Sequence, residues 1–373
     1  MQRIYIILNF VALLALTVGC EKKDGIDGDL SFLKTAKTAN PNNILDISND
    51  NSGNVTITPT AEGASSFIVI YGDGTGGEDS AVVMPGHNTT HAYPEGSYTV
   101  TVVSKSLSGE ETTATYPLQL TYRAPENIVV TTSQTVHDLK VKASALYAAS
   151  YLVYFGDVDN ETGTPLATGA ELTHTYANAG DYNVKVVALS GGAAKSESIT
   201  PVTIYNAFGL PITFDDPHIN DFFGTFGTNQ QFEIGAANPN KTGLNSSAKV
   251  GKFIRGKEGW SGTYSPLDAP IDMSVGKKIK VWVYNPDPAM IGKKLNVELE
   301  NGSTIDNGVA VLKVPLTKSG EWEELTFNFG SIQGNPAGET FGQLVLRFND
   351  AYEGTGTGGQ GTVIYLDNFR LTN

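Results

Sequence analysis

The sequence predicts an all-β protein in which two tandem β-sandwiches precede a larger β-jelly roll. Most of the chain alternates apolar and polar residues over short segments, and glycine, which occurs 41 times in 373 residues, separates many of them. An internal repeat occupies the middle of the chain. From about residue 208 the repeat ends and all three tryptophans occur, which indicates a different final domain.

The N-terminal residues form a candidate export signal. Arg3 precedes an apolar run over 4–18, which is too short for a stable membrane span, and the single cysteine, Cys20, follows a small residue. This layout resembles a bacterial lipoprotein signal, although Thr17 stands where leucine is usual. The resemblance implies that residues 1–19 are removed and that acyl chains on Cys20 anchor the protein in a membrane. An ordinary cleaved signal is the alternative.

Composition narrows the class of function. No cysteine follows Cys20, so the body of the protein has neither disulfide bonds nor a cysteine nucleophile. The formal net charge of −14 disfavours nucleic acid as a partner. Beyond the lipidated Cys20, residues 20–40 are polar and lack a clear period, which predicts a flexible linker.

Two copies of one module follow the linker. The first contains YGDG and THAYPEGSYTVTV, and the second contains FGDV and THTYANAGDYNVKVV. Asp157 follows Asp73 by 84 residues, so the copies run over 41–124 and 125–206. Both aspartates are interpreted as turn-forming residues, and the alternating segments predict a sandwich of short strands in each copy.

These motifs resemble the polycystic-kidney-disease-type (PKD-like) domain, which implies an immunoglobulin-like sandwich for each copy. Tyr71 and Val158 depart from the family pattern, and neither copy has the family tryptophan. His91 and His174 occupy the same place in separate copies. A structural hydrogen bond is therefore favoured for each over a metal-binding or catalytic role.

Residues 207–373 contain regularly spaced alternating segments, with glycine or proline between most of them. A domain of this size with eight to ten such strands indicates a jelly roll. The clearest segments are 277–286, 293–301, 308–316, 322–330, 342–350 and 361–373.

The alternation separates an aliphatic side of three strands from a polar and aromatic side. Aromatic rings can stack on pyranose C–H faces, while amide, carboxylate and guanidinium groups bind hydroxyls. Trp260, among glycines and small polar residues, is the first choice for stacking, whereas Trp322 is interpreted as structural. Alternatively, Trp282 and Tyr284 pack under a loop or a neighbouring domain. The candidate ligand-binding residues are Trp260, Trp282, Tyr284, Glu298, Arg347 and Asn349.

A second resemblance covers 208–373. The ordered segments NPNKTGLNSSAKVGKF, GWSGTYSPLDAPIDMS, KVWVYNP, LNVELEN, GEWEELTFNF and YLDNFRL resemble the carbohydrate-binding jelly roll found with laminarinases and in outer-membrane glycan-binding proteins of Bacteroidota. With the lipid signal and the PKD-like modules, the chain resembles a surface glycan-binding lipoprotein of a polysaccharide-utilisation system. The resemblance implies a cell-surface, outer-membrane location and laminarin-type β-1,3-glucan as ligand. It also implies a transporter complex and a surface glycoside hydrolase as partners.

Related jelly rolls often hold a structural calcium where the first and last strands meet. The resemblance implies Asp215 and Asp367 as its ligands, since calcium prefers hard oxygen donors.

The sequence predicts no catalytic activity and no catalytic cofactor. It contains no E-x-D-x-x-E, G-x-S-x-G or H-E-x-x-H string. Glu298 and Glu300 share a strand face, but that spacing is common in strands. A lyase with tyrosine and arginine bases would leave little local signature and stays open. An adhesin or protein-binding lipoprotein is the other alternative.

Overall fold

A computed structural model describes residues 31–74, 79–301, 310–331, 340–349 and 359–373. The expected signal peptide and Cys20 lie outside these ranges. Among the described residues, no helix has both the length and the apolar character needed to cross a membrane.

The described residues form two compact units. The first unit takes its residues from Met1–Ile128, Ala145–Tyr151 and Val187–Ser196, and the second from Val129–Ser144, Leu152–Val186 and Glu197–Asn373.

The first repeat copy folds into two antiparallel sheets, after a short 3-10 helix at Ser31–Lys34. Its strands are β1 (Ala39–Ile47), β2 (Asn54–Glu62), β3 (Ala64–Ile70), β4 (Ser80–Val83), β5 (Thr89–Ala92), β6 (Gly96–Ser106) and β7 (Glu111–Leu120). One sheet has the order β1-β2-β5 and the other β4-β3-β6-β7. Inward-facing side chains such as Val55, Val69 and Val100 are fully buried and form its core.

The second copy repeats this topology. Its strands are β8 (Glu126–Thr135), β9 (Asp138–Leu146), β10 (Ser150–Tyr154), β11 (Thr164–Ala167), β12 (Leu172–Thr175), β13 (Gly180–Leu189) and β14 (Lys195–Ile204). Their sheet orders, β12-β9-β8 and β11-β10-β13-β14, correspond strand for strand to those of the first copy. The two tandem sandwiches predicted from the repeat are confirmed.

Each sandwich contains the same histidine–aspartate pair. His91 Nε2 lies 2.7 Å from Asp73 Oδ2, and His174 Nε2 lies 2.8 Å from Asp157 Oδ2. Each imidazole also stacks on the aromatic ring two residues before its aspartate, with centroids 3.9 and 4.0 Å apart. The structural role predicted for the histidines is confirmed. The aspartates lie in bends, and their carboxylates hold the histidines in addition to shaping the turn.

The C-terminal part is a jelly roll of two five-stranded sheets. Its strands are β15 (Gly224–Phe226), β16 (Gln231–Ala237), β17 (Lys249–Ile254), β18 (Gly262–Asp272), β19 (Lys278–Tyr284), β20 (Lys294–Glu300), β21 (Ala310–Pro315), β22 (Trp322–Asn328), β23 (Thr340–Phe348) and β24 (Val363–Thr372). Short 3-10 helices occupy Pro288–Met290 and Phe329–Ser331. We call β15-β18-β23-β20-β21 the front sheet and β16-β17-β24-β19-β22 the back sheet.

The core of the jelly roll lies between the two sheets. Alternate residues of β20, including Leu295 and Val297, and of β19, including Val281 and Val283, are fully buried in it. This pattern agrees with the sidedness predicted from alternation. The intervening residues therefore belong to the outer sides of the sheets, where the candidate site residues lie.

Candidate functional site

The outer side of the front sheet carries a set of polar and aromatic residues around Val345, and the side chains at its centre, those of Asn296, Glu298, Glu300 and Val345, are buried. Strand register places them together: Gly262 pairs with both Phe226 and Arg347, and Arg347 pairs with Asn296. Residues two apart on each strand share this side. We call the set the aromatic–polar face; it consists of Phe226, Trp260, Tyr264, Asn296, Glu298, Glu300, Gln343 and Arg347.

An ion pair forms the centre of this face. Arg347 Nη2 lies 3.2 Å from Glu298 Oε2, and the two side chains are 21% and 5% exposed. Beside them, Gln343 Nε2 donates to Glu300 Oε2. Within the described part of the chain, the buried Arg347 Nε makes no hydrogen bond. A buried donor without a partner is costly.

Aromatic rings border the ion pair on the β15 side. The rings of Phe226 and Trp260 are parallel within 2°, with centroids 6.3 Å apart, and the Arg347 guanidinium carbon lies 5.5 Å from the Phe226 centroid. Trp260 is 50% exposed. Tyr264 contacts the exposed Phe222, with ring centroids 5.9 Å apart. Solvent-facing rings next to charged groups are suited to an amphipathic ligand.

Two glycines make room for these side chains. A Cβ added at Gly262 would lie 2.7 Å from Phe226 Cζ and 2.8 Å from Arg347 Cγ. At Gly224, an added Cβ would lie 2.4 Å from Cζ of Tyr264. Glycine is therefore required at Gly262, because the side chains of Phe226 and Arg347 lie over this position of β18. It is also required at Gly224, because the Tyr264 ring lies over this position of β15.

Glu258 braces the segment that presents Trp260. Its Oε2 accepts hydrogen bonds from the Thr228 N–H at 2.7 Å and the Ser261 hydroxyl at 3.2 Å. Hydrogen bonds from Thr228 lower the pKa of Glu258 to about 2, so its carboxylate is ionised at neutral pH.

Arg255 fixes the other end of this segment. It is fully buried, and its guanidinium donates to the carbonyl oxygens of Phe348, Gly256 and Asn349 at 2.9, 3.2 and 2.9 Å. Asn349, a predicted ligand residue, follows β23 at φ 51°, and its N–H donates to the Lys294 carbonyl. The observed contacts of its backbone are structural, and a ligand contact of its side chain stays a prediction.

Trp282 and Tyr284 lie elsewhere, on β19 of the back sheet. Trp282 and Tyr284 therefore do not share the sheet that carries the aromatic–polar face. The Arg370 guanidinium lies 5.5 Å from the Trp282 ring, and Tyr284 contacts the ring of Trp322. Both residues are partly exposed, so a ligand contact there stays a prediction for a separate surface.

Trp322 has the structural role that the sequence predicts. It is 4% exposed, and its indole N–H donates to the Asn240 carbonyl at 2.8 Å.

The two expected calcium ligands lie close enough to interact. Burial raises the pKa of the fully buried Asp367, and the negative charge of Asp215 contributes to the rise, while hydrogen bonds from Ser247, Asn245 and Asn368 oppose it. The Oδ1 atom of the exposed Asp215 accepts the Lys249 N–H. Among the described residues, no three histidine, cysteine or acidic side chains form a metal cluster. The two carboxylates are suitable calcium ligands but supply only part of its coordination shell. Amides, carbonyls or water would have to provide the remaining oxygen ligands.

The sequence predicted three residues of the aromatic–polar face, Glu298, Arg347 and Trp260. It did not predict the other aromatic residues that border the ion pair. Glu298, Arg347 and Trp260 lie together on the aromatic–polar face. Gly224 and Phe226 were not singled out, because β15 has only three residues and shows no usable alternation. Gly262 and Tyr264 were not singled out either, because the alternation of β18 is interrupted by a register shift between Pro266 and Ile271.

One family model matches part of the chain. Residues 119–203 match the family model of the PKD domain, which covers most of the second sandwich. No curated protein matches the chain. The fold and the site thus define a chain of two immunoglobulin-like sandwiches and a jelly roll with an aromatic–polar face.

Solved structures share only a general likeness. One, described as "Structural basis for the promiscuous specificity of the carbohydrate-binding modules from the beta-sandwich super family", is 17% identical over 67% of this chain and 99% of that chain, with a TM-score of 0.29. The CBM22-2 xylan-binding domain from Paenibacillus barcinonensis is 17% identical over 44% and 98%, with a TM-score of 0.30. A two-domain fibronectin type III segment from chicken tenascin is 14% identical over 43% and 99%, with a TM-score of 0.29. Likeness at this level says nothing about function.

Proposed function

We propose that this chain is a non-catalytic polysaccharide-binding protein and that the aromatic–polar face of its jelly roll is the binding site. One observation carries the proposal: the half-exposed Trp260 lies at the border of a face whose centre is the Arg347–Glu298 ion pair. Indole rings pack against the C–H face of a pyranose, and guanidinium and carboxylate groups bind neighbouring hydroxyls.

A binding role suits the two carboxylates better than a hydrolytic role. Glycoside hydrolysis requires one carboxylic acid that protonates the leaving oxygen and a second that acts as base or nucleophile. Glu298 is paired with Arg347, and Glu300 accepts a hydrogen bond from Gln343. These contacts position both groups as acceptors for sugar hydroxyls. We therefore expect no release of reducing sugar on prolonged incubation with any bound glycan.

We further propose laminarin-type β-1,3-glucan as the ligand, supported by the six ordered segments of the jelly roll. The lipid on Cys20 would hold the protein in the outer membrane with the jelly roll facing outward. Capture there would raise the local concentration of glucan for a separate hydrolase and transporter. Weak binding of each sugar suits this role, because the chain must be handed on.

Affinity electrophoresis in gels containing laminarin tests the proposal. The wild-type protein should be retarded, and Trp260→Ala should remove most of the retardation. Val275→Ala is the matched control, because Val275 is 68% exposed in the same jelly roll but does not belong to the face. Trp282→Ala tests the back sheet separately: loss of retardation would extend the site to that surface. Equal mobility of wild type and Trp260→Ala would contradict the proposal.

A surface adhesin is the second candidate. The exposed rings of Phe222 and Trp260 favour it, because exposed aromatic residues also anchor protein interfaces. Calorimetry with soluble glucan oligosaccharides separates the two functions: an adhesin gives no heat with any of them but captures a defined host protein.

We also propose that Asp215 and Asp367 hold a structural calcium ion. When bound, the ion would neutralise the two carboxylates and join the segment before β15 to β24. It would take no part in ligand binding.

A further inference from the structure

None of the residues that define the aromatic–polar face lines one further cavity, although its Asp268 lies on β18 together with Tyr264. It has a volume of about 320 Å³ and is lined by the hairpin loop between β8 and β9, the segment after β14, and two positions of the jelly roll. Ligand pockets in proteins begin at roughly 300 Å³, so its volume suits one or two sugar rings. Its lining includes Gln134, Val136, Tyr205, Asn206, Asn220 and Asp268.

The lining is chemically selective. It offers three side-chain amides, one phenol, the hydroxyl of Thr135 and one carboxylate, and no lysine or arginine lines it. Amides present donors and acceptors together, which matches vicinal hydroxyls, and the phenol ring provides an apolar surface. The carboxylate of Asp268 without a facing cation disfavours anionic ligands. The combination suits a neutral saccharide.

In three of these side chains, one polar atom makes a hydrogen bond within the protein, and the second polar atom can still bind a ligand. Gln134 Nε2 donates to the Val136 carbonyl at 2.7 Å, Asn206 Oδ1 lies 3.1 Å from His137 Nε2, and Asp268 Oδ2 accepts the Phe208 N–H at 3.1 Å. Within the described part of the chain, Gln134 Oε1, Asn206 Nδ2 and Asp268 Oδ1 make no hydrogen bond. Side chains fixed in this way bind a ligand at a smaller entropic cost.

Val136 adds an independent observation. It occupies a two-residue hairpin loop at φ 49°, a conformation that glycine adopts readily and β-branched residues rarely adopt. The matching connection of the first sandwich, 48–53, is longer and has Asn51 and Gly53 at positive φ. The strained loop is therefore not a requirement of the repeat, and strain of this kind concentrates at binding sites.

We propose that this cavity is a second saccharide site, which takes one or two neutral sugar residues independently of the aromatic–polar face. It goes beyond the proposed function, because none of its lining residues belongs to that face. Two sites on one chain would raise the avidity for a polymer that reaches both.

The test uses full-length protein carrying Trp260→Ala, so that the first site is disabled. Saturation-transfer difference NMR is recorded with D-glucose, D-galactose, D-mannose, cellobiose and laminaribiose as probes. At least one of these sugars should give a signal that titrates. Adding Asn220→Trp, a substitution at an exposed position that fills the cavity, should weaken this binding by about tenfold or more. Asn183→Trp, at an exposed position of β13, is the control.

The outcomes are distinguishable from those of the first proposal. Absence of signal from all five sugars, or a signal that both Asn220→Trp and Gln134→Ala leave unchanged, overturns the second site whatever laminarin electrophoresis shows. If Asn220→Trp does not fold, Gln134→Ala alone decides, because it removes a single side-chain amide and leaves the cavity open. Loss of laminarin retardation by Trp260→Ala with retained sugar signals supports both sites.

Discussion

At the scale of single residues, Glu258 shows how binding can depend on a side chain that need not touch a ligand. Its carboxylate holds the Thr228 N–H and the Ser261 hydroxyl, on either side of the front-sheet border that presents Trp260. We predict that Glu258→Ala frees Trp260 and lowers laminarin affinity by about five- to tenfold, since ordering the ring then costs entropy on binding. The fluorescence anisotropy of Trp260 should fall in a variant that retains no other tryptophan.

Glu321→Ala is the control for this prediction, because Glu321 is 62% exposed and pairs only with Lys318 in the described structure. If Glu258→Ala shows reduced anisotropy but binds laminarin with wild-type affinity, then holding Trp260 rigid contributes nothing to binding.

Asp221 predicts a pH effect on stability. Burial, together with the negative charge of Asp216, raises the pKa of Asp221 from 3.8 to about 6. The folded state therefore retains a proton between about pH 4 and pH 6 that the unfolded chain has lost, so this group destabilises the fold as pH rises through that window. Asp221→Asn should raise Tm at pH 7.5 and leave Tm nearly unchanged at pH 4. Thermal unfolding of both proteins at four pH values tests this, and a Tm difference independent of pH would contradict it.

The sequence predicted residue roles well where a side chain acts alone or within one repeat. The structural hydrogen bond of each histidine was predictable because both copies have a histidine at the same place, whereas the sequence indicated the aspartate partners only as turn-forming residues. The contact of Phe226 with Arg347 was not predictable, because it joins residues 121 positions apart across a strand whose pairing no local pattern specifies. The need for glycine at position 262 follows from that contact, so it could not be predicted either.

At the scale of elements, the order of strands in the front sheet creates the aromatic–polar face. β18 lies between β15 and β23, so the aromatic border reaches the ion pair only across Gly262. Gly262→Ala should therefore destabilise the fold by about 1–3 kcal/mol through overpacking and should weaken laminarin binding. Gly342→Ala on β23 is the matched control, because an added Cβ there meets nothing within 4 Å. Urea unfolding and affinity electrophoresis measure the two effects, and equal behaviour of the two variants would refute the packing argument.

The calcium proposal also belongs to this scale, because it concerns the segment before β15 and the last strand. Calcium at a hundred times its dissociation constant should stabilise the fold by about 2.7 kcal/mol, whereas magnesium should have a smaller effect. Asp215→Asn, at an exposed position, should remove most of the increase in Tm without unfolding the protein. The same Tm with calcium and with a chelator would exclude the ion.

Element prediction succeeded where alternation was long and failed where it was interrupted. All six segments identified in the jelly roll became strands, β19 to β24. β18 was missed as a strand because its register shifts between Pro266 and Ile271 and its exposed positions do not alternate over that stretch. Prolines and bulges of this kind hide a strand from a period-two search.

At the scale of the whole molecule, two proposed sites on one chain predict a dependence on ligand length. A short laminari-oligosaccharide can occupy one site at a time, whereas a polymer that reaches both binds the second in an effectively intramolecular step. Full-length protein should therefore bind long laminarin more tightly than laminarihexaose by about 10²-fold or more, if one polymer spans both sites. Trp260→Ala and Asn220→Trp should each remove most of this preference for length, although only Trp260→Ala should weaken hexaose binding strongly. Calorimetry with long laminarin and with laminarihexaose, at equal concentrations of sugar residues, measures the two affinities separately. A length preference that survives Asn220→Trp unchanged would place all of the avidity on the aromatic–polar face, because repeated occupancy along a polymer can raise its apparent affinity for a single site.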